Sequence, residues 1–118
     1  MWDVKKSYGQ SDFASQFAHS NSSATLNVNE LVRMVYIDCW LYNTSALAVN
    51  TSYTCATILS DYKPKYYDGR GVATCETTSG QYAFFPAWVN KDSGNLVIYV
   101  NTAIPVNKWI RVVVQYIY

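Results

Sequence analysis

The chain has 118 residues, of which half are hydrophobic, 16% are aromatic and only 14% are charged, with a formal net charge of +1. The length suits one domain with a core of its own, and so low a charge content indicates burial against another chain. The Lys and Arg residues are scattered and the net charge is close to zero, which argues against nucleic acid as a partner. No run of about 20 apolar residues occurs, which argues against membrane insertion. No signal peptide is predicted at the N-terminus.

The residue types of pleated sheets, Val, Ile, Thr and Tyr, dominate the chain, and no window has helical periodicity. Strands are predicted, in chain order, at residues 2–5, 23–28, 31–42, 53–60, 72–78, 81–89, 95–102 and 108–118. The Ser-rich residues 7–22 form a loop or an irregular edge strand, and residues 1–30 as a whole are poorly defined. The pair 81–89 and 95–102 is predicted to form a hairpin through Asn90 to Gly94. Pro86 lacks a ladder donor and predicts an edge position or a bulge.

These elements predict an all-β fold, an antiparallel β-sandwich in a single domain over residues 1–118. Several strands are apolar on both faces. In 108–118 the predicted core face consists of Ile110, Val112, Val114, Tyr116 and Tyr118. The outer face of the same strand is mixed and consists of Trp109, Arg111, Val113, Gln115 and Ile117. In 81–89, Tyr82, Phe84, Pro86 and Trp88 alternate with Ala83, Phe85, Ala87 and Val89. In 31–42, Val32, Met34, Tyr36 and Trp40 lie opposite Val35, Ile37, Cys39 and Leu41. An isolated sandwich is polar outside, so the outer face is expected to meet another subunit or a covering segment.

No pattern of catalytic residues is recognisable, and the chain is not predicted to be an enzyme or to carry a metal or cofactor. His19, the only histidine, is expected to be a solvated loop residue, without the neighbours of a catalytic triad. Cys39, Cys55 and Cys75 match no metal motif and are expected to be buried free thiols, with one disulfide and one free thiol as the alternative. Free thiols suit assembly in a reducing cytoplasm. Asp38, inside an apolar strand, is expected to pair with an Arg or Lys across the sheet or a subunit boundary, or to face solvent.

Recognition is the remaining kind of chemistry, because the chain has 11 Tyr and 4 Trp, whose flat rings suit both sugars and protein interfaces. The segment 61–70 mixes aromatic residues with charges of both signs, which is the composition of a binding loop; a packed, fixed connection is the alternative. In the first case Tyr66 and Tyr67 stack on a sugar ring, Asp68 and Arg70 bond its hydroxyls, and Trp88 or Tyr82 lies nearby.

Three pieces of the chain resemble the head domains of bacteriophage tail fibres and receptor-binding proteins. They are the run 53–64, in which a strand leads to Tyr62-Lys63-Pro64; the run 83–89 followed by Ser93-Gly94-Asn95-Leu96-Val97-Ile98-Tyr99; and the terminal run 109–118. The resemblance covers about residues 31–118, with Ser60 where that family has a proline.

The resemblance implies a jelly-roll or tumour-necrosis-factor-like sandwich, assembled as a homotrimer at the tip of a tail or fibre in the virion. Such heads bind saccharides of the host surface, contact other virion proteins and cleave nothing. Two alternatives stay open. One is a purely structural decoration or fibre domain without a ligand, and the other is a carbohydrate-binding module.

Overall fold

The computed structural model describes residues 1–118, which form eight strands. The strands are β1 (Asp3–Tyr8), β2 (Ser23–Asn29), β3 (Met34–Tyr42), β4 (Thr51–Thr57), β5 (Gly69–Thr78), β6 (Gln81–Val89), β7 (Asn95–Val100) and β8 (Trp109–Ile117). Single 3₁₀ turns lie at Gln10–Asp12, Ser15–Phe17 and Ser60–Tyr62. The predicted all-β class is confirmed. None of the helical segments has the length or apolar character to cross a membrane.

All eight strands belong to one sheet, in the order β1-β2-β3-β8-β5-β6-β7-β4, and all neighbours are antiparallel. The sheet curls until its two edge strands approach each other. The Tyr8 hydroxyl on β1 donates to Thr57 O on β4 (3.3 Å), and Ala14 N donates to Cys55 O (2.9 Å). The predicted sandwich therefore takes the form of one curled sheet around one core.

The core follows from the two-residue period of the strands, which sends alternate side chains inside. The predicted core face of 108–118 is confirmed, because each of its members is buried, and in β6 the buried face is that of Ala83, Phe85, Ala87 and Val89. Phe13 and Phe17, from the segment between β1 and β2, add two aromatic side chains to this core.

The structure corrects several predicted boundaries. The first strand runs from Asp3 to Tyr8 instead of 2–5, and the uncertain residues 7–22 are the end of that strand followed by two 3₁₀ turns. The strand predicted at 31–42 begins at Met34, because residues 30–33 form the β2–β3 turn, with Arg33 at a positive φ of 52°. Val32 is consequently exposed in that turn and is not part of the outer face of β3.

The predicted hairpin of β6 and β7 is confirmed, but its ladder is short and runs only from Ala87–Ile98 to Val89–Leu96. Pro86 lies one residue beyond it. The Asn101 side chain donates to Phe84 O (3.0 Å) on the β7 side of β6, so the Pro86 nitrogen, two residues along, faces the same unpaired side. Pro86 is thus at an edge only on its β7 side, because β6 is paired with β5 along its whole length.

Cys39, Cys55 and Cys75 are free and buried, as predicted. Burial raises the pKa of each thiol above its ordinary value, so all three stay protonated and pack as small apolar groups.

Candidate functional site

Two tryptophans stand side by side on the outer face of the sheet, where β3 and β8 pair. In this ladder Trp40 lies opposite Arg111, and Tyr42 lies opposite Trp109. Alternation turns Trp40 and Trp109 away from the core, and they are 39% and 46% exposed. Their rings meet edge to face, with centroids 6.0 Å apart and planes at 83°, so they form the two walls of a corner.

A second aromatic layer supports Trp109 from the side of β3. The Tyr42 ring lies 5.2 Å from the Trp109 ring, and the His19 ring lies 4.5 Å from the Tyr42 ring. His19 Nδ1 accepts a hydrogen bond from Asn21 N (3.0 Å). The predicted loop position of His19 is confirmed, but its ring is only partly exposed because it packs against Tyr42.

A charged pair lies along one wall of this corner. Arg111 Nε donates to Asp38 Oδ1 (3.3 Å), and the guanidinium lies 5.4 Å from the centroid of the Trp40 ring. The predicted partner of Asp38 across the sheet is confirmed. The pair presents donors and acceptors beside the aromatic rings, and because both side chains are partly exposed, their attraction adds little to stability.

The corner opens into a shallow groove on both sides of the two tryptophans. One side, of about 560 Å³, is lined by Asn21, Ser23, Trp40 and Trp109, and the other, of about 320 Å³, by Trp40, Thr74, Cys75, Glu76, Tyr82, Trp109 and Arg111. We call the residues of these two sets the tryptophan groove. The neighbouring Glu76 carboxylate raises the pKa of the Tyr82 phenol above its ordinary value.

This combination suits a ring-shaped ligand with one apolar face and a polar rim. Indole faces offer flat apolar area, and the nearby carboxylates, guanidinium and hydroxyls can bond the rim.

The loop predicted to bind a ligand is pinned at both ends. The Tyr116 hydroxyl donates to Tyr62 O (2.6 Å), and Lys63 Nζ donates to Asp92 O (2.9 Å). At the other end, Asp68 Oδ1 accepts a hydrogen bond from Lys91 N (2.9 Å), so one oxygen of this carboxylate already has a partner within the chain. Tyr66 and Tyr67 are the loop's exposed aromatic residues, at 68% and 84% exposure, and the charged Asp61, Lys65 and Arg70 are exposed as well.

The structure divides the six predicted site residues between two places. Tyr66, Tyr67 and Asp68 border a shallow depression with Tyr116 and Ile117. Arg70 and Trp88 are directly opposite each other across β5 and β6, next to this loop.

Of the two alternatives predicted to lie near the loop, Trp88 is the one found there, and Tyr82 is not. It stands six residues from Trp88 on the extended strand β6, about 20 Å away, and it belongs to the tryptophan groove.

Trp40 and Trp109 were not among the predicted site residues. The sequence could have indicated them through their position on the outer, mixed faces of their strands, because two large indoles are unusual on a surface that meets only solvent. Their juxtaposition depends on the register of β3 with β8, which joins parts of the chain 69 residues apart in sequence.

The fold is similar to two viral head structures. The head domain of lactococcal phage bIL170, described in a study of the receptor-binding domains of lactococcal phages, has a TM-score of 0.67 at 12% sequence identity, over 98% of both chains. The fibre head protein of bovine atadenovirus type 4 has a TM-score of 0.53 at 7% identity, over 96% of both chains. No family model and no curated protein matches the sequence. At these identities the similarity establishes a shared fold.

Proposed function

We propose that this chain, which has the fold of phage and adenoviral head domains, is the receptor-binding head of a phage tail fibre or baseplate. It acts in the virion, at the tip of the tail or fibre, after assembly in the host cytoplasm with other virion proteins. The role is binding and not catalysis. The near-full-length similarity to a phage head domain supports this proposal.

The tryptophan groove is the proposed binding site, and a saccharide of the host surface is its proposed ligand. The observation that carries this is the corner of two half-exposed indoles beside the Asp38–Arg111 pair. A pyranose ring stacks its C–H face on one indole and rests its edge against the other, while its hydroxyls bond the charged pair.

Replacing both Trp40 and Trp109 by alanine is expected to lower saccharide affinity at least tenfold, since each ring contact contributes on the order of 1 kcal/mol. The change leaves the core intact, because both side chains point outward. The measurement is binding of the wild-type and variant proteins to an array of bacterial surface glycans, followed by titration of the best ligand.

The matched control is Tyr66→Ala with Tyr67→Ala, which removes two exposed rings from the loop originally predicted to bind. Unchanged binding in this control places the ligand in the tryptophan groove. Loss of binding only in the tyrosine variant would move the site to the loop with Arg70 and Trp88. If no glycan binds the wild-type protein, the receptor-binding hypothesis is wrong and the hypothesis of a purely structural virion domain replaces it.

We further propose that the head is a homotrimer, with the outer face of β5 and β6 as a subunit contact. Val72, Phe84 and Pro86 are exposed there, and Val72 and Pro86 lie directly opposite each other. A row of apolar side chains on a strand face that meets only water is unfavourable, and a second copy of the chain would cover it.

Phe84→Glu is expected to convert the trimer into monomers, because it places a charge in the apolar contact. Light scattering coupled to size-exclusion chromatography should give about 40 kDa for three copies of the 13.4 kDa wild-type chain and a single-chain mass for the variant. The control is Leu31→Glu, at an exposed apolar residue in the β2–β3 turn, which should remain trimeric. A wild-type protein that is monomeric at micromolar concentration would contradict the proposal.

A further inference from the structure

A second pocket lies on the same outer face, beside the start of β1. It has a volume of about 510 Å³ and is lined by Trp2, Thr25, Asn27, Tyr36, Asp38 and Gln115. The rings of Trp2 and Tyr36 stand edge to face at 6.3 Å and 70°, which repeats the arrangement of Trp40 and Trp109. We call it the Trp2 pocket.

The polar groups of the Trp2 pocket are held in place and leave hydrogen-bonding capacity toward its opening. Asn27 Nδ2 donates to Thr25 Oγ1 (3.0 Å) and to Tyr36 O (3.1 Å), which fixes the amide and leaves its oxygen to accept from a ligand. The exposed Gln115 amide, opposite Tyr36 in the β3–β8 ladder, supplies both a donor and an acceptor. A fixed amide next to two rings is suited to bonding hydroxyl groups.

The two sites are continuous, because Asp38 lines the Trp2 pocket and also pairs with Arg111 in the tryptophan groove. Tyr36, Asp38 and Trp40 follow one another on the outer face of β3. The strand rise puts Tyr36 and Trp40 about 13 Å apart, farther than a single pyranose ring extends. The face therefore offers an aromatic pair, a charged pair and a second aromatic pair in a line.

The charges along this line define the class of ligand. Asp38 and Arg111 neutralise each other, and Glu76 at the far end adds a carboxylate without a cationic partner. Arg111 is the only Lys or Arg that lines either pocket, so a phosphate or carboxylate group on the ligand would meet no unpaired cation among the lining residues and would be repelled by Glu76.

We propose that the Trp2 pocket is a second saccharide subsite, and that the head binds an uncharged oligosaccharide of at least three linked rings along β3. One ring lies on each aromatic pair and one lies over the Asp38–Arg111 pair. This inference rests on the proposed function, because it extends the tryptophan groove.

The test is a ladder of one to six sugar residues, prepared by partial hydrolysis of the uncharged glycan that binds best on the array. Affinity for the wild-type protein should rise at least tenfold between one and three residues and then level off. Trp2→Ala should abolish the part of this rise that comes with the third residue and leave monosaccharide affinity unchanged. Because Trp2 precedes β1 and its loss could fray that strand, Gln115→Ala, at an exposed position in the central strand β8, serves as the second variant and should reduce the rise.

The control variant is Tyr99→Ala, which removes a half-exposed aromatic ring on β7, outside both sites. If Trp2→Ala and Gln115→Ala keep the full length dependence while the Trp40 and Trp109 substitutions abolish binding, the second subsite is wrong and the proposed function stands. If neither set of substitutions changes binding, both are wrong. Tighter binding of a phosphorylated or carboxylated ladder than of the uncharged one would overturn the assigned class.

Discussion

Replacing Asn43 by leucine is expected to destabilise the domain by about 4 kcal/mol, since it leaves several buried polar groups unpaired. Asn43 is fully buried at the end of β3. Its Nδ2 donates to Pro105 O (2.7 Å) and Ser45 O (3.0 Å), and its Oδ1 accepts from Lys108 N (2.7 Å). Leucine has the same branching as asparagine, offers no polar atoms and excludes the water that could replace these bonds.

Loss of the Asn43 hydrogen bonds should also disturb the tryptophan groove, because the Lys108 amide that Asn43 binds directly precedes Trp109. Thermal unfolding followed by circular dichroism should show a Tm lower by about 10 °C or more. The control is Asn101→Leu, at an exposed amide that donates to Phe84 O; its effect should stay within about 0.5 kcal/mol. Equal effects of the two substitutions would show that the buried hydrogen bonds of Asn43 do not carry the stability.

Replacing Gly71 by alanine should cost about 3 kcal/mol, the upper range of overpacking in a core. A Cβ at this position would collide with Val113 O and lie 2.7 Å from Val114 Cγ2 and 2.8 Å from Val114 Cα. Two of these atoms are backbone of β8, which pairs with β5 at this point in the middle of the sheet. They cannot move away without opening the ladder between the two strands.

Gly9→Ala is the matched control, because a Cβ there meets nothing within 4 Å and φ is −123°. Denaturant unfolding should show that Gly9→Ala changes the free energy of unfolding by less than about 1 kcal/mol. Any change should be stabilising, because alanine lowers the conformational entropy of the unfolded chain. A Gly71→Ala protein as stable as Gly9→Ala would mean that β5 and β8 can separate without cost.

The strands themselves were predictable because their signal is local. The alternation in 81–89 depends only on neighbouring residues, so both its faces and its bounds agree with β6. The turn at residues 30–33 was missed because Leu31 and Val32 are apolar and look like strand residues. They are exposed at a hairpin tip because the pairing of Asn29 with Met34 closes the chain there.

The candidate site was predictable only in its chemistry. The wealth of Tyr and Trp and the apolar outer faces indicated a recognition surface. Its location was not predictable, since residues close in the sequence, such as Tyr66 and Tyr82, are separated by the extended course of β5 and β6. The packed loop ends also left Tyr66 and Tyr67 as the only exposed aromatic residues of the segment 61–70.

By itself, the sequence determined the fold class, the two alternating faces of β6 and β8 and the burial of the three thiols, because a two-residue period and residue type act locally. Only the tertiary structure decided that β3 and β8 are neighbours, and hence that Trp40, Trp109 and Arg111 share one groove in which Arg111 is paired with Asp38. The physical reason is that β3 and β8 pair through backbone hydrogen bonds, whose pattern is the same for almost any side chains. Which register forms is set by how the whole core packs when the sheet curls.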